Sequence, residues 1–352
     1  MDMSLFYFSD YCLGDTPGGR YDLLLEGARF ADTHGLVAVW TPERHFHPFG
    51  GLYPNPSLTG AAVAAITRNV QIRAGSVVIP LHHPLRVAEE WAVVDNLSGG
   101  RVGLSFASGW HPTDFALRPG AYADRRATFG PAIDQVRRLW RGEEMDVVDG
   151  TGNPTRVRIY PQPVQAELPV WVTSAGSIET FRMAGELRAG LLTNLLGQDF
   201  DELGPKIAVY RAAAAEASDG ESAGHVVLMI HAFIDQDADR AREIVREPFC
   251  AYLRSSFSLI AGSALADSGI DPATMHESDI DYVVRRSFDR YFETSGLFGT
   301  LEMAEAILSR VATMGIDEIA CQIDFGVEPS VALRGLSHLA ELREVASRTP
   351  AT

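Results

Sequence analysis

The stretch that decides the fold is Val70-Gln-Ile-Arg-Ala-Gly-Ser-Val-Val-Ile-Pro80, followed by Leu81-His-His-Pro84, a segment with helical character and Gly100-Arg-Val-Gly-Leu-Ser-Phe106. Two short runs rich in Val, Ile and Leu flank one amphipathic segment, a pattern that predicts a buried strand, a crossover helix and a second buried strand. In parallel α/β proteins, ligands bind at the carboxyl ends of the strands. We therefore predict that Gly75, Ser76 and the segment 105–111 form the floor of a functional site.

The alternation of strand and helix continues along the whole chain. Strand patterns occur at 4–9, 36–40, 70–79, 101–106, 169–173, 189–193, 225–234 and 318–323. Helical patterns occur at 20–34, 57–68, 84–97, 123–141, 178–187, 200–218, 238–253, 301–314 and 329–345. This repetition favours an α/β fold, a (β/α)8 TIM-type barrel, over an open doubly wound sheet, because no G-x-G-x-x-G follows the first strand. We expect one domain over 1–352 with insertions near 142–165 and 255–299.

Composition limits the classes of partner. The 352-residue chain has 30 Lys and Arg against 46 Asp and Glu, a formal net charge of −16. Such a chain repels nucleic acid and anionic membranes unless it carries a basic patch, and its Arg pairs are isolated. Cys12, Cys250 and Cys321 lie far apart without metal-ligand spacing, which favours a reducing compartment over a disulfide framework. With neither a signal-peptide pattern nor a membrane-spanning apolar run, we expect a cytoplasmic protein.

The loops predicted to follow the strands are rich in small and polar residues. They contain no H-E-x-x-H motif, Cys-His cluster, G-x-S-x-G or Walker loop, so no metal site is predicted. Ser174-Ala-Gly-Ser177 stands between a strand and a helix, where free backbone N–H groups and Ser hydroxyls suit a phosphate. The structural alternative is that Ser174 or Ser177 only caps the helix.

Glu43-Arg-His-Phe-His47 places a carboxylate, a guanidinium and two imidazoles at one strand end, a set suited to proton transfer. The structural alternative is an ion pair of Glu43 with an Arg, beside a hydrogen-bonded His45. Leu81-His-His-Pro84 offers one further imidazole to the same rim. Gly109-Trp-His-Pro112 offers an aromatic plate and a donor, although Trp110 also suits a core position.

Five stretches of the chain, in order, resemble one known family. They are VWTPERHF at 39–46, AGSVVIPLHHPLRVAEEW at 74–91, LSGGRVGLSFASGWHPTDF at 97–115, PVWVTSAGSIETFRMAGELRAGLLTNLLG at 169–197 and GTLEMAEAILSRVATMGIDEIACQIDF at 299–325. The chain thereby resembles the bacterial luciferase-like, flavin-dependent monooxygenases. It is most similar to the branch associated with natural-product biosynthesis, some of whose members are fused to peptide or polyketide synthase modules.

The resemblance implies a barrel with a mobile lid at 255–299, which excludes water from a site that binds reduced FMN (FMNH2). In this family the reaction of bound FMNH2 with oxygen gives a C4a-peroxide, the oxidant. Gly75-Ser76 matches a non-proline cis peptide under the flavin ring, and the turn 174–177 matches the phosphate site. The candidate cofactor-binding residues are Gly75, Ser76, Ser108, Trp110, His111, Ser174, Ala175, Gly176, Ser177, Thr193 and Asn194.

The chain departs from luciferase at three matched positions. Ser108 stands where luciferase has an Arg that contacts the phosphate, Ala107 where it has a reactive Cys, and Arg44 where it has a catalytic His. The phosphate charge would then be neutralised by amides, hydroxyls or another Arg such as Arg290. The candidate catalytic residues are His45, Arg44 and Glu43, with His45 the first choice for the proton, and His47 or His111 as alternatives.

The resemblance therefore implies an FMN-dependent monooxygenase that acts on a small-molecule or carrier-tethered natural-product intermediate. Its expected partners are a separate flavin reductase and a second copy of the chain in a homodimer. Hydroxylation, N-oxidation and Baeyer–Villiger insertion are all open outcomes. The alternatives are an oxidoreductase of the same fold that uses the deazaflavin F420, and a non-catalytic flavin-binding subunit.

Overall fold

Eight parallel strands close into a ring in the computed structural model, which describes residues 1–8, 19–264 and 276–348, without the side chains of 257–264 and 347–348. Cys12, the loop 9–11 and the part of the predicted lid at 265–275 lie outside the described residues. The strands are β1 (Asp2–Phe6), β2 (Ala38–Thr41), β3 (Gln71–Val78), β4 (Val102–Ala107), β5 (Met145–Val148), β6 (Pro154–Val157), β7 (Val170–Thr173), β8 (Gly190–Asn194), β9 (Val226–Ile234), β10 (Leu297–Gly299) and β11 (Glu318–Gln322).

The ring has the order β1-β2-β3-β4-β7-β8-β9-β11, and β11 pairs with β1 to close it. This closure confirms the predicted barrel and excludes the open sheet. All eight ring strands overlap predicted strand patterns, with ends displaced by up to three residues. Their apolar runs are readable because each strand is buried on both faces, against the interior and against the helices.

The helices that surround the ring are α1 (Asp22–Thr33), α2 (Pro56–Ile66), α3 (Pro84–Ser98), α4 (Phe129–Trp140), α5 (Ile178–Glu186), α6 (Phe200–Ala217), α7 (Ala238–Ala264), α8 (Glu277–Arg290), α9 (Leu301–Ala312) and α10 (Pro329–Arg348). Local chemistry sets several of their ends. The Asn55 side chain caps α2, Asp199 and Glu202 form a capping box on α6, and Gly99 ends α3 in the left-handed conformation at φ 72°. Among the described residues, no helix is both long and apolar enough to cross a membrane.

Two predicted helix ends were wrong, and one strand was missed. Helix α4 starts at Phe129 rather than 123, because the Arg125 guanidinium donates to the carbonyls of Gly109 and Tyr122 and holds the preceding turns against the loop after β4. Helix α7 continues to Ala264, beyond the predicted end at 253. The insertion 255–299 was predicted to lack strands, yet it contains β10, whose three residues pair with the carboxyl-terminal half of the long strand β9.

The predicted insertion near 142–165 contains a β-hairpin. Strands β5 and β6 pair antiparallel there, with Met145 opposite Val157 and Val148 opposite Pro154. They form a sheet of their own and do not join the ring.

A buried ion pair fills the interior of the ring. Arg73 lies between the rings of Trp40 and Trp171, with its guanidinium carbon 4.8 and 4.5 Å from their centroids, and donates to Glu318 at 2.7 Å. Glu318 also accepts from the Ser4 hydroxyl at 2.5 Å. Burial alone raises the pKa of Glu318, but the charge of Arg73 and these hydrogen bonds outweigh it, so the pKa lies below its ordinary value.

We expect Arg73→Ala to lower the free energy of unfolding by about 3–5 kcal/mol, because Glu318 would remain buried without its cation. The matched control is Arg29→Ala, which removes an exposed pair with Glu26 and is expected to change stability by less than about 0.5 kcal/mol. Urea denaturation followed by circular dichroism measures both. Equal, small losses in the two variants would contradict the role given to the interior pair.

Candidate active site

A buried carboxylate organises the rim at the carboxyl ends of the strands. Glu43, which follows β2, accepts from His45 Nε2 at 2.9 Å and from His82 Nε2 at 2.5 Å through one oxygen. Its other oxygen accepts the backbone N–H of Val78, at the end of β3, at 2.7 Å. One side chain thus joins the loop after β2 to the loop after β3.

These contacts set the protonation of the cluster. Burial raises the pKa of Glu43, but hydrogen bonds from His45 and His82 oppose it, so the pKa falls below its ordinary value. Burial lowers the pKa of His82, but its bond to Glu43 and the carboxylate charge prevail and raise it. Glu43 is therefore held ionised, and its negative charge favours the protonated form of His82.

A second ion pair lies beside this cluster. The Arg44 side chain is only 2% exposed and donates from Nη1 to Asp114 Oδ2 at 2.5 Å. The Trp110 ring covers the guanidinium, whose carbon is 5.3 Å from the ring centroid. His111 Nδ1 lies 3.8 Å from the other oxygen of Asp114. The two predicted groups at 43–47 and 109–112 therefore meet at one rim, through an acid that the sequence analysis did not select.

The peptide bond Gly75-Ser76 is cis, as the family resemblance implies. A Cβ on Gly75 would lie 2.7 Å from the ring of Phe6, so no larger residue fits there. The Ser76 hydroxyl contacts the Thr173 hydroxyl, and Thr173 contacts the Ser105 hydroxyl at 2.6 Å. Three adjacent strands thus place a chain of hydroxyl groups across the barrel mouth.

In the turn 174–177 the structure shows one of the two roles that the sequence left open, the helix cap. The Ser177 hydroxyl accepts from Thr180 N at 3.4 Å and so caps α5, which is the structural alternative. Ser174 is buried, whereas Ala175, Gly176 and Ser177 are exposed. The exposed turn thus keeps backbone available to a ligand while its last residue begins the helix.

Lys206 is a functional candidate that the sequence analysis missed. Its ammonium would lie 3.5 Å from a Cβ built on Gly176, and it donates to Gln198 Oε1 at 2.8 Å. Gln198 in turn donates to the backbone carbonyl of Asn194 at 2.6 Å. The sequence did offer one signal for it, because Lys206 is the only lysine in the chain.

The remaining predicted site residues are not all directed to the mouth. Asn194 follows Leu192 on the inner face of β8, and its side chain accepts from Leu196 N at 2.9 Å. Thr193 lies between Leu192 and Asn194 in the strand, so its side chain is on the opposite, outer face of β8. It is in register with Leu228, which belongs to the core between the ring and the helices. Ser108 is half-buried, and Arg290 packs over Tyr291 at the end of α8.

The inner face of β9 also carries a group that the sequence analysis missed. His231 is buried among Phe249, Tyr252, Tyr291 and Phe325, and burial lowers its pKa to about 3. Its imidazole is therefore neutral at physiological pH. The sequence did offer one signal for it, because His231 follows Val227 and Met229 at every second position of the strand and so belongs to the same face.

A cavity of about 400 Å³ lies at the loop after β2. It is lined by Arg44, His45, Phe46, His47, Pro48, Gly51 and Pro54. Clusters of His, Cys, Asp or Glu suited to a metal ion are absent from the described ranges. The rim therefore offers a pocket lined by apolar residues, two imidazoles and Arg44.

The sequence was compared with a family model and with curated proteins. The family model for luciferase-like monooxygenases matches residues 1–318. The 4-hydroxyprotoasukamycin monooxygenase of Streptomyces nodosus subsp. asukaensis is 32% identical over 184 residues, 51% of this chain and 49% of that protein. The oxygenase component of the flavin-dependent trigonelline monooxygenase of Acinetobacter baylyi is 32% identical over 157 residues, 44% and 43% of the two chains. The matched part thus spans about half the length of these relatives.

Solved structures share the fold over nearly the whole chain. Monooxygenase RslO1 from Streptomyces bottropensis superimposes with a TM-score of 0.78 at 23% identity, covering 97% of this chain and 98% of that one. The oxygenating constituent of 3,6-diketocamphane monooxygenase from Pseudomonas putida, in complex with FMN, gives 0.77 at 19% identity and covers 100% of both chains. At these identities the likeness establishes the fold alone.

We expect NMR titration to place the pKa of His82 above its ordinary value of 6.5, and Glu43→Gln to lower it, because a neutral amide stabilises the imidazolium less. The control Glu90→Gln removes a carboxylate that contributes less and should lower the pKa of His82 less.

The stability that His82 contributes is full below the pKa of the unfolded imidazole and is lost as pH rises through the raised folded value. For Glu43 it is full above the unfolded pKa and is lost as pH falls through the lowered folded value. An unchanged His82 titration in Glu43→Gln would contradict this coupling.

Proposed function

The chain belongs to the luciferase-like monooxygenase family, and from that premise we propose that it is an FMN-dependent monooxygenase acting on a small-molecule or carrier-tethered natural-product intermediate. The observation that carries the proposal is the arrangement of the rim. The cis peptide Gly75-Ser76, the hydroxyl chain and the exposed turn beside Lys206 lie on neighbouring strands of one barrel mouth. The FMN complex of a structural neighbour and the trigonelline relative, described as flavin-dependent, support the choice of cofactor.

The residues present fit FMN at both of its ends. The exposed backbone of Ala175 and Gly176, the Ser177 hydroxyl and the Lys206 ammonium provide donors and positive charge for a phosphate. The hydroxyl chain from Ser76 to Ser105 provides donors and acceptors beside the cis peptide, where the isoalloxazine is expected. Reduced FMN, when bound there, would supply the electrons that activate dioxygen for transfer of one oxygen atom to the substrate.

The imidazoles beside Glu43 are the groups that hold a proton for the reaction. Since Glu43 accepts from His45 Nε2, that nitrogen carries the hydrogen, and Nδ1 of a neutral His45 is left to accept a proton. His45 lines the cavity, and its side chain is 11% exposed, so a substrate group can reach it. Glu43 positions the ring through this hydrogen bond, which is a common role for a buried carboxylate.

Two partners complete the proposal. The trigonelline relative is described as an oxygenase component, which supports a separate reductase as the source of reduced FMN for this chain. We further propose that the chain works as a homodimer in the cytoplasm. Exclusion of water would protect the activated oxygen from release as hydrogen peroxide.

The cofactor assignment is tested by titrating the chain with FMN and with F420 and following cofactor fluorescence. We expect saturable binding of FMN and negligible binding of F420. In a second step, photoreduced FMN is mixed with the chain and then with aerated buffer. We expect hydrogen peroxide to form more slowly than from free reduced FMN, because the site excludes water. Tight F420 binding with negligible FMN binding would overturn the assignment, and reoxidation identical to that of free flavin with every substrate tried would contradict an oxygenase.

Lys206 gives a separate test of where the phosphate binds. We expect Lys206→Gln to weaken FMN binding about tenfold, the loss of one charge-assisted hydrogen bond, and to leave the affinity for riboflavin unchanged. The control is Arg138→Gln, an exposed arginine at the end of α4 that pairs with Glu143. Because the chain has one lysine, an amine-reactive reagent labels only Lys206 and the amino terminus, and FMN but not riboflavin should protect Lys206. Equal protection by both flavins would place the phosphate elsewhere.

A further inference from the structure

We propose that the substrate of this site carries a carboxylate, and that one edge of the Arg44 guanidinium binds it. The inference rests on the proposed function, because it names the substrate class of the same site. It starts from an imbalance in the ion pair between Arg44 and Asp114. Only Nη1 of Arg44 is used in that pair.

The other two nitrogens of Arg44 form an unused edge. Nε and Nη2 are both buried, and neither has a hydrogen-bond acceptor in the described part of the chain. In a guanidinium these two nitrogens project their hydrogens to the same side, with a spacing that matches the two oxygens of a carboxylate. A lysine or a histidine at this position would not offer such a pair of donors.

The burial of this edge is what makes it informative. The side chain is 2% exposed, and a buried donor without an acceptor costs free energy that folded proteins seldom leave uncompensated. A carboxylate would satisfy both donors at once. A neutral amide has one acceptor oxygen and would satisfy the edge less well.

The position of the edge fits substrate rather than cofactor. Arg44 lines the cavity of about 400 Å³ together with His45, the proposed proton acceptor. The cationic turn at Gly176, which the FMN phosphate is proposed to occupy, belongs to the loop after β7, whereas Arg44 belongs to the loop after β2. A carboxylate on Arg44 would therefore bring the rest of the substrate alongside His45.

Both carboxylates and imidazoles stand near the edge. Asp114 and the ionised Glu43 are the acids, and His45, His47 and His111 are the imidazoles. Asp114 engages only Nη1 of Arg44, so the donors Nε and Nη2 remain for a second carboxylate.

Trp110 provides a direct reporter of occupancy. Its ring covers the guanidinium and is 47% exposed, whereas Trp40, Trp91, Trp140 and Trp171 are buried. A ligand that reaches the edge must contact or displace this ring. Its binding should therefore change the fluorescence of Trp110, and Trp110→Phe identifies that part of the signal.

The experiment titrates the full chain with cyclohexanecarboxylate and with cyclohexanecarboxamide, a probe pair of the same shape that differs in charge. We expect the carboxylate to bind about tenfold more tightly or better, the factor expected for a bidentate charge-assisted contact. Arg44→Gln should abolish this preference and Arg44→Lys should retain only a small part of it, since lysine keeps the charge without the edge. Arg126→Gln, an exposed arginine at 126, is the control for net charge and should retain the preference.

Three results of this experiment would contradict the carboxylate proposal. Equal affinity for acid and amide in the natural chain, no saturable binding of either, or a preference that survives Arg44→Gln would each overturn the inference. The comparison of the two probes in the natural chain decides the matter even if an Arg44 variant does not fold. FMN binding is measured on the same samples by flavin fluorescence. Absence of a carboxylate preference in the natural chain, with intact FMN binding, rejects the inference alone, whereas absent FMN binding rejects the proposed function.

Discussion

The Glu43 carboxylate is the constraint on which the rim depends. It is fully buried, and it can remain ionised only because His45, His82 and the N–H of Val78 all donate to it. Those contacts hold the loop after β2 against the end of β3. Since Arg44 and His45 are the next residues in the chain, the same contacts determine where the guanidinium and the imidazole stand.

Much of the fold followed from local pattern. The eight ring strands were readable because residues such as those of Val226–Ile234 form apolar runs that need burial on both sides. The pattern failed where tertiary contacts overrule it. Residues 123–128 have helical composition but are held as turns by Arg125, and β10 exists because a long neighbour offers it a partner.

The site was predictable in outline for a similar reason. The ends of strands gather in a barrel, so residues at 43–47, 75–76 and 174–177 were expected at one rim before any contact was known. Pairings were not predictable, because Arg44 and Asp114 are 70 positions apart and Ser76 and Thr173 are 97 apart. Lys206 lies within α6, which carried no site prediction, and its closeness to Gly176 arises only from the packing of α6 beside α5.

The stack of Trp40, Arg73 and Trp171 determines from which end of the barrel a ligand can enter. Together with Glu318 it plugs the barrel below the mouth, so the ring is a cup and not a tube. A ligand is therefore expected to enter the barrel only from the carboxyl ends of the strands, where the loops after β2, β3 and β7 stand.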